Sequence, residues 1–369
     1  MKIQVKPWVL NLNMYEPGLP IEEVARRFGF PDADAVLKLA SNENALGPSP
    51  RAVQAMRKAA RKMHLYPDGG AYYLRSALSE RLGIGTEHIL VGHGSNELIV
   101  FLGHAFLEPG VNLVMADRAF AVYRLVAGLY RADVIDTPMP DFTHDLDALR
   151  AAVTPETRLV FVANPNNPTG TRVRPEDLDR FVSGMPDEVT IVLDEAYIEL
   201  LPPDEQPDTV RYVREGRNVI LLRTFSKTYG LAGLRIGYAI GPTEAIEAFN
   251  RVRQPFNVNA MAQAAAAAAL EDDAHVDHTR RMVKSGLHQW EKGLDRLGIP
   301  YVPSSVNFLL AETGRGRDVV EALQLRGVIV RPMGPYGLPD HVRITVGRRS
   351  ENVRALQELE HFLKNRGTP

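Results

Sequence analysis

The chain has no cysteine, and only nine of its 369 residues are lysine. Without thiols there can be no disulfides, no Cys-ligated zinc and no thiolate nucleophile. Long apolar runs are also missing: none approaches the roughly 20 residues of a membrane helix. The N-terminal MKIQVKPWVLNLNMYEPG has no apolar core leading to a small-residue cleavage site. These features read as a cytoplasmic chain with no membrane partner. Neither charge is in excess. A net charge of −2, with acids and bases interspersed, gives no electrostatic footprint for nucleic acid, so the expected partner is a small molecule. What is present, 45% hydrophobic and 24% charged residues, suffices for two domains and a substantial core.

The scarcity of lysine gives one stretch its meaning. Lys227, in RTFSKTYGLAGLRIGY (223–238), is the only lysine between Lys62 and Lys284, a span in which arginine supplies the other permanent cations. A guanidinium stays protonated, whereas a buried amine can become neutral and attack a carbonyl carbon. Lys227 lies in a loop between two apolar runs, 218–223 and 234–240, that read as strands. A solvated loop lysine would look the same in isolation, so the reading depends on what lies upstream.

Residues 1–35 are an irregular arm with a short helix over 21–28. Ser49-Pro50 is a helix start, an N-cap followed by proline, for a helix over 50–63, and another follows over 71–82. From Ile89 strand and helix alternate, which predicts an α/β domain with a mostly parallel sheet. The alternation lapses near Ile240. Helices fill 243–297, including the alanine-rich 260–270, which reads as buried. After Gly298, short strands and two helices, near 316–325 and over 351–364, form a smaller α+β domain. The expected division is 1–35 as an arm belonging to the small domain, 36–260 as the large domain and 261–369 as the small one.

Four further motifs follow this frame. GHGSNE (92–97) leaves a strand and opens a helix whose free N–H groups suit a phosphate, though an ordinary strand-to-helix turn has the same form. NPNNPTG (164–170) makes a rigid loop at a strand end, with the Asn167 amide free to point inward or simply to close a βα unit. In DEAY (194–197) an acid emerging from a buried strand needs a cation, met either by a protonated ring nitrogen near the Tyr197 hydroxyl or by a structural ion pair. Arg331 and Arg343 interrupt apolar strands, and Arg235 raises the same question beside the lysine; bidentate arginine suits carboxylate or phosphate, while the alternative, a snorkelling or salt-bridged arginine, is common for one but less comfortable for two. His275 and His278, near Asp272 and Asp273, read as a solvated helix face, so no metal site is expected.

In combination, NPNNPTG, DEAY and TFSKTYGLAGLRIGY resemble the fold-type I pyridoxal-phosphate aminotransferases, and KLASNENALGPSP, YPD, GSNE, FAVY and VIVRPMGPYGLPDHVRITVG resemble their histidinol-phosphate branch. The resemblance implies an α/β PLP-dependent transferase fold and a homodimer using pyridoxal 5'-phosphate. It would transfer the amino group of histidinol phosphate to 2-oxoglutarate by a ping-pong route. It further implies that Lys227 carries the cofactor as a Schiff base and shuttles a proton. Asp194 would pair with the ring nitrogen, Tyr197 and Asn167 would bond the ring oxygen, and Tyr123 would stack on the ring. Gly94, Ser95, Asn96, Thr224, Ser226 and Arg235 would hold the phosphate, with Tyr66 reaching across from the other subunit. Arg343, Arg331, Tyr15 and Asn44 would meet the substrate. Ala45, His93 and Asn96 depart from the branch's usual residues. The alternatives are an aromatic amino acid aminotransferase, a decarboxylase of a phosphorylated amino acid, and a non-enzymatic cofactor-binding regulator, which would need a basic DNA-binding segment that the N-terminus lacks.

Overall fold

The computed structural model describes residues 3–12, 14 and 18–364. In chain order its strands are β1 (Leu37–Lys38), β2 (Ile89–Gly92), β3 (Asn112–Ala116), β4 (Asp133–Thr137), β5 (Thr157–Ala163), β6 (Thr190–Asp194), β7 (Val219–Thr224), β8 (Gly237–Ile240), β9 (Tyr301–Val302), β10 (Phe308–Glu312), β11 (Val328–Ile329), β12 (Arg331–Pro332) and β13 (His341–Thr345). The helices are α1 (Ile21–Phe28), α2 (Pro50–Ala60), α3 (Tyr72–Leu82), α4 (Ser95–Phe106), α5 (Val122–Tyr130), α6 (Leu146–Ala151), α7 (Pro175–Ser183), α8 (Val210–Arg214), α9 (Thr243–Val252), α10 (Ala260–Leu270), α11 (Asp273–Leu297), α12 (Gly316–Leu325) and α13 (Arg349–Lys364).

Seven strands form one sheet in the order β2-β8-β7-β6-β5-β3-β4, with β8 alone running antiparallel to its neighbours. Its central strands are apolar at nearly every position because both faces are covered. Alternate residues feed different cores. Val160, Val162, Ile191, Leu193, Val219 and Leu221 enter one cluster, and Leu159, Phe161, Val192, Ile220 and Leu222 enter the other. That is the period of two expected of a strand carrying side chains to opposite faces. The mostly parallel sheet read from the sequence is therefore present.

The strand expected over 234–240 is shorter than its apolar run. Ala232–Leu234 forms a 3-10 turn and Arg235 takes a left-handed φ of 55°, so pairing starts at Gly237. Helix α2 ends three residues early, at Ala60. Helix α8 follows the prolines at 202, 203 and 207; at five residues it is too short for periodicity to register.

A second sheet, β12-β13-β10-β9, is wholly antiparallel and packs under α11, α12 and α13. The arm joins this part of the molecule. β1 pairs in parallel with β11, and Val24 and Ala25 of α1 share a cluster with Val36, Ala40 and Ile329. Helix α10, buried as expected, lies against α2 in the first core of the large sheet through Ala262, Ala265, Ala266 and Ala269.

Candidate active site

The carboxyl ends of β6 and β7, the start of α4 and the strands β12 and β13 meet around a cavity of about 390 Å³. A crevice at the carboxyl ends of parallel strands is where open α/β sheets place ligands. The Lys227 loop is fixed by its own backbone: Phe225 N–H donates to Ile236 O at 3.0 Å and Gly230 N–H to Lys227 O at 3.1 Å. Gly230 has φ 69°, and a Cβ there would lie 2.2 Å from Gly47 O, so the loop is pressed against the 44–48 segment.

The Lys227 side chain is partly exposed, but into the cavity, and its Nζ donates to Ser41 O at 3.0 Å. Desolvation, reinforced by the positive charges of Arg343 and Arg235, lowers its pKa from 10.5 to about 7. Across the cavity Asp194 is 6% exposed, and burial raises its carboxyl to about 6 despite the hydrogen bonds it accepts. Tyr123 Oη donates to its Oδ2 at 2.6 Å and Ala196 N–H to its Oδ1 at 3.2 Å. Glu195, one residue on, faces the other way. It accepts from Arg223 Nε at 2.8 Å and Thr209 Oγ1 at 2.6 Å, so the structural ion pair belongs to Glu195 and the cavity-facing acid is Asp194. Tyr197, whose hydroxyl is pushed up to about 12 by burial, accepts a hydrogen bond from Asn42 Nδ2 at 2.9 Å.

At one end of the cavity Ser95 and Asn96 begin α4, and Thr224, Ser226 and Arg235 line the wall beside them. The free N–H groups of a helix start favour an anion. Arg235 Nη1 reaches Ser226 Oγ at 3.5 Å and Ala232 O at 3.0 Å, and no carboxylate pairs with it among the described residues. Gly94 has φ 76°, and a Cβ on it would sit 2.6 Å from Arg235 Nη2, so the turn admits only glycine with the arginine in this position.

At the other end Arg331 and Arg343 are cross-strand partners on β12 and β13, and both line the cavity. Arg343 is 7% exposed; Nη2 donates to Ala40 O at 2.8 Å, Nη1 donates to Asn167 Oδ1, and its guanidinium lies 5.2 Å from the Phe308 ring centroid. Asn167 thus spends its amide oxygen on Arg343.

Eleven of the expected residues line this cavity: Ser95, Asn96, Tyr123, Asn167, Asp194, Tyr197, Thr224, Ser226, Lys227, Arg235 and Arg331, with Arg343 a twelfth. Gly94 adjoins it. Asn44 is not among the lining residues. Its Nδ2 donates to Thr228 O at 2.8 Å and Thr279 Oγ1 at 3.0 Å, and its Oδ1 accepts from Leu46 N–H, which uses the side chain to tie the lysine loop to α11 instead of to a substrate. Tyr123 is fully buried, with one ring face stacked on Phe161 at 4.2 Å and its hydroxyl given to Asp194, which leaves it poorly placed for the stacking expected of it. Phe120, half-buried and on the cavity wall, is the aromatic placed for that task. Tyr66 lies outside the cavity, 83% exposed and stacked on Phe256 at 4.8 Å. Tyr15 lies outside the described residues. His93 is exposed, and its N–H donates to Glu97 Oε2 at 2.6 Å; Ala45 O accepts from Arg348 Nε at 2.9 Å. His275 contacts Gly47 O at 3.1 Å. Sequence reasoning missed Asn42, Phe120 and Tyr336. Each sits inside a motif already singled out, KLASNENALGPSP, FAVY or VIVRPMGPYGLPDHVRITVG, two to five residues from the nearest position chosen there.

Residues 34–359 match the family model "Aminotransferase class I and II". The chain is 46% identical over 356 residues to a histidinol-phosphate aminotransferase of Akkermansia muciniphila, covering 96% of this chain and 97% of that one. It is 47% identical over 356 residues to one of Moorella thermoacetica, covering 95% and 92%. Among solved structures, the histidinol-phosphate aminotransferase of Sinorhizobium meliloti in complex with pyridoxal-5'-phosphate superposes with a TM-score of 0.90 at 28% identity, covering 99% of both chains. With a lysine amine of lowered pKa, an opposed carboxylate and a helix start suited to an anion in one cavity, and with these likenesses over almost its whole length, the chain belongs to the class I and II aminotransferases, in their histidinol-phosphate aminotransferase branch.

Proposed function

We propose that this protein is a pyridoxal-phosphate-dependent aminotransferase that moves the amino group of histidinol phosphate to 2-oxoglutarate. The observation that carries the reading is the Lys227 amine, brought near neutrality in a cavity that also holds a buried carboxylate and three arginines. The residues present fit the cofactor. Gly94, Ser95, Asn96, Thr224, Ser226 and Arg235 form a cradle for a phosphate dianion, and Asp194, whose carboxyl burial raises to about 6, is held more firmly in its ionised form once a ring cation faces it. Phe120 supplies an aromatic face, and Tyr197 and Asn167 supply donors for a ring oxygen.

When bound, the cofactor supplies an aldehyde that condenses with amines and a ring that accepts the electron pair left at the substrate's Cα. The protein does the rest. Lys227 Nζ takes the proton from Cα and returns it on the other side of the exchange; a pKa of about 7 leaves it able to do both near neutral pH. Asp194 keeps a proton on the ring nitrogen, which maintains the electron demand. Arg343 and Arg331 hold the phosphate of one substrate and the carboxylate of the other in turn, which one arginine pair can do because both anions accept a bidentate fork. We further propose a cytoplasmic homodimer in which Tyr66, too exposed to serve its own cavity, reaches the neighbouring one.

We also propose that the two units of the chain divide within α11 instead of at residue 260. The support is the burial of α10 in the large sheet's core, while Trp290 and Leu294 of α11 belong to the core of the small sheet. The arm stays with the small unit through β1 and α1.

An amino-donor panel tests the function. Histidinol phosphate should bleach the visible band of the lysine-bound cofactor in a single half-reaction, and 2-oxoglutarate should restore it. Faster bleaching by phenylalanine or tyrosine would refute the substrate, and release of carbon dioxide would refute transamination.

A further inference from the structure

Asn42 is 1% exposed, lines the cavity and has a left-handed backbone φ of 55°. Its backbone N–H and C=O and both polar atoms of its side-chain amide each make a hydrogen bond, and the directions of those bonds are linked. Its N–H donates to Thr345 Oγ1 at 3.0 Å; that hydroxyl donates back to Asn42 Oδ1 at 3.2 Å; Asn307 Nδ2 donates to Asn42 O at 3.0 Å. With Oδ1 committed to Thr345, the amide nitrogen is left to donate to Tyr197 Oη, which it does at 2.9 Å. An oxygen that receives a donor on one side has its own proton free for another acceptor. Tyr197 is 3% exposed, and its ring meets Phe308 edge-on at 5.4 Å, so the hydroxyl has few other directions open.

We propose that Asn42 is a positioning residue: it fixes the Tyr197 proton toward the cavity and ties that direction to β13, the strand that carries Arg343. The inference rests on the function proposed above. Thr345 lies two residues from Arg343 on one strand, and Phe308, its partner across β10 and β13, sits against both the Tyr197 ring and the Arg343 guanidinium. One side chain thus links the group that would donate to the cofactor's ring oxygen with the strand that would hold the substrate anion. The residue type follows from the geometry. Asparagine tolerates a left-handed φ better than other non-glycine residues, and unlike aspartate it offers a donor to Tyr197.

The test is Asn42→Asp, which keeps the shape and the tolerance of a positive φ but replaces the donor with an acceptor. The Tyr197 proton then turns away from the cavity. In the spectral pH titration of the lysine-bound cofactor, the variant's pKa should rise by about one unit or more, because an anionic ring oxygen loses its donor. kcat should fall about tenfold, while the KM for the phosphate-bearing donor changes much less. In a Tyr197→Phe background the same substitution should add little to the spectral shift, since both changes act through one hydroxyl. Should Asn42→Asp fail to fold, Thr345→Val keeps the amide and removes its anchor, and a smaller shift in the same direction is expected.

A lower melting temperature with an unchanged spectral pKa, or shifts that add in the double variant, would overturn the proposal. Failure of the underlying function is distinguishable. In that case the unsubstituted protein itself would take up no pyridoxal phosphate and show no visible band to titrate.

Discussion

At the residue scale, the lysine that stands alone between two distant neighbours in the sequence is also the one whose amine burial most affects. Its lowered pKa is a stability statement as well as a catalytic one. In the unfolded chain the amine titrates near 10.5, and in the folded, cofactor-free chain near 7, so between those values the unfolded state binds more protons and folding stability rises with pH. At pH 7 and below, the folded protein bears the full cost of a charge it cannot solvate. Cofactor-free Lys227→Met is therefore expected to be more stable than the parent at pH 6 by on the order of 2 kcal/mol, after allowing for water in the cavity. The gain should shrink as pH rises from 7 toward 10.5. Denaturant titrations at three pH values measure it, and a gain that grew with pH would contradict the assignment. The pair Asp194 and Glu195 shows the same scale from the other side. Adjacent acids on one strand end point to opposite faces, so one is drawn into an ion pair with Arg223 and the other is left to the cavity.

At the element scale, the strand-to-helix turn from β2 into α4 is where conformation and ligand chemistry meet. Gly94 provides the positive φ that lets the first N–H groups of α4 face the cavity, and its missing Cβ leaves the space that Arg235 occupies. Gly94→Ala should leave the fold in place at a cost of about 1–3 kcal/mol, since φ 76° with ψ 166° is a backbone essentially confined to glycine. It should also displace Arg235 and weaken retention of pyridoxal phosphate about tenfold or more, which equilibrium dialysis of the stripped protein would measure. Unaltered retention would mean that Arg235 is not part of the cradle. Helix α2 shows how much of an element can be local. Ser49 Oγ accepts from Ala52 N–H at 3.1 Å with Pro50 at the first helical position, as the sequence spells out.

At the scale of the whole molecule, Tyr66, Tyr72, Tyr73 and Phe256 are large aromatic side chains left exposed in a single subunit. In the homodimer proposed here, sedimentation should give about twice the 40.9 kDa of the chain. If Tyr66 serves the neighbouring cavity, Tyr66→Phe should lower activity. Mixing that variant with Lys227→Ala after gentle dissociation should then restore activity above either parent, because one of the two cavities in the mixed dimer has both residues intact. No restoration would place Tyr66 outside the machinery.

The sequence alone determined whatever depends on near neighbours. The buried strands announced themselves by continuous apolar runs, the helix start at Ser49 by its cap, and the chemistry by the lone lysine and by motifs short enough to be read in one window. Even the cavity-facing placement of the arginines at 331 and 343 was legible, because a guanidinium interrupting an apolar strand is costly without a partner. Only the tertiary structure decided which members of those motifs face the cavity. Tyr123 turns out to serve Asp194 with its hydroxyl while Phe120 takes the open wall, and Asn44 rivets a loop to α11 while Asn42, two residues earlier, meets Tyr197. The physical reason is that a side chain's direction is set by the φ of its own residue and by partners hundreds of positions away, such as Thr345 for Asn42, and neither is written in the local pattern.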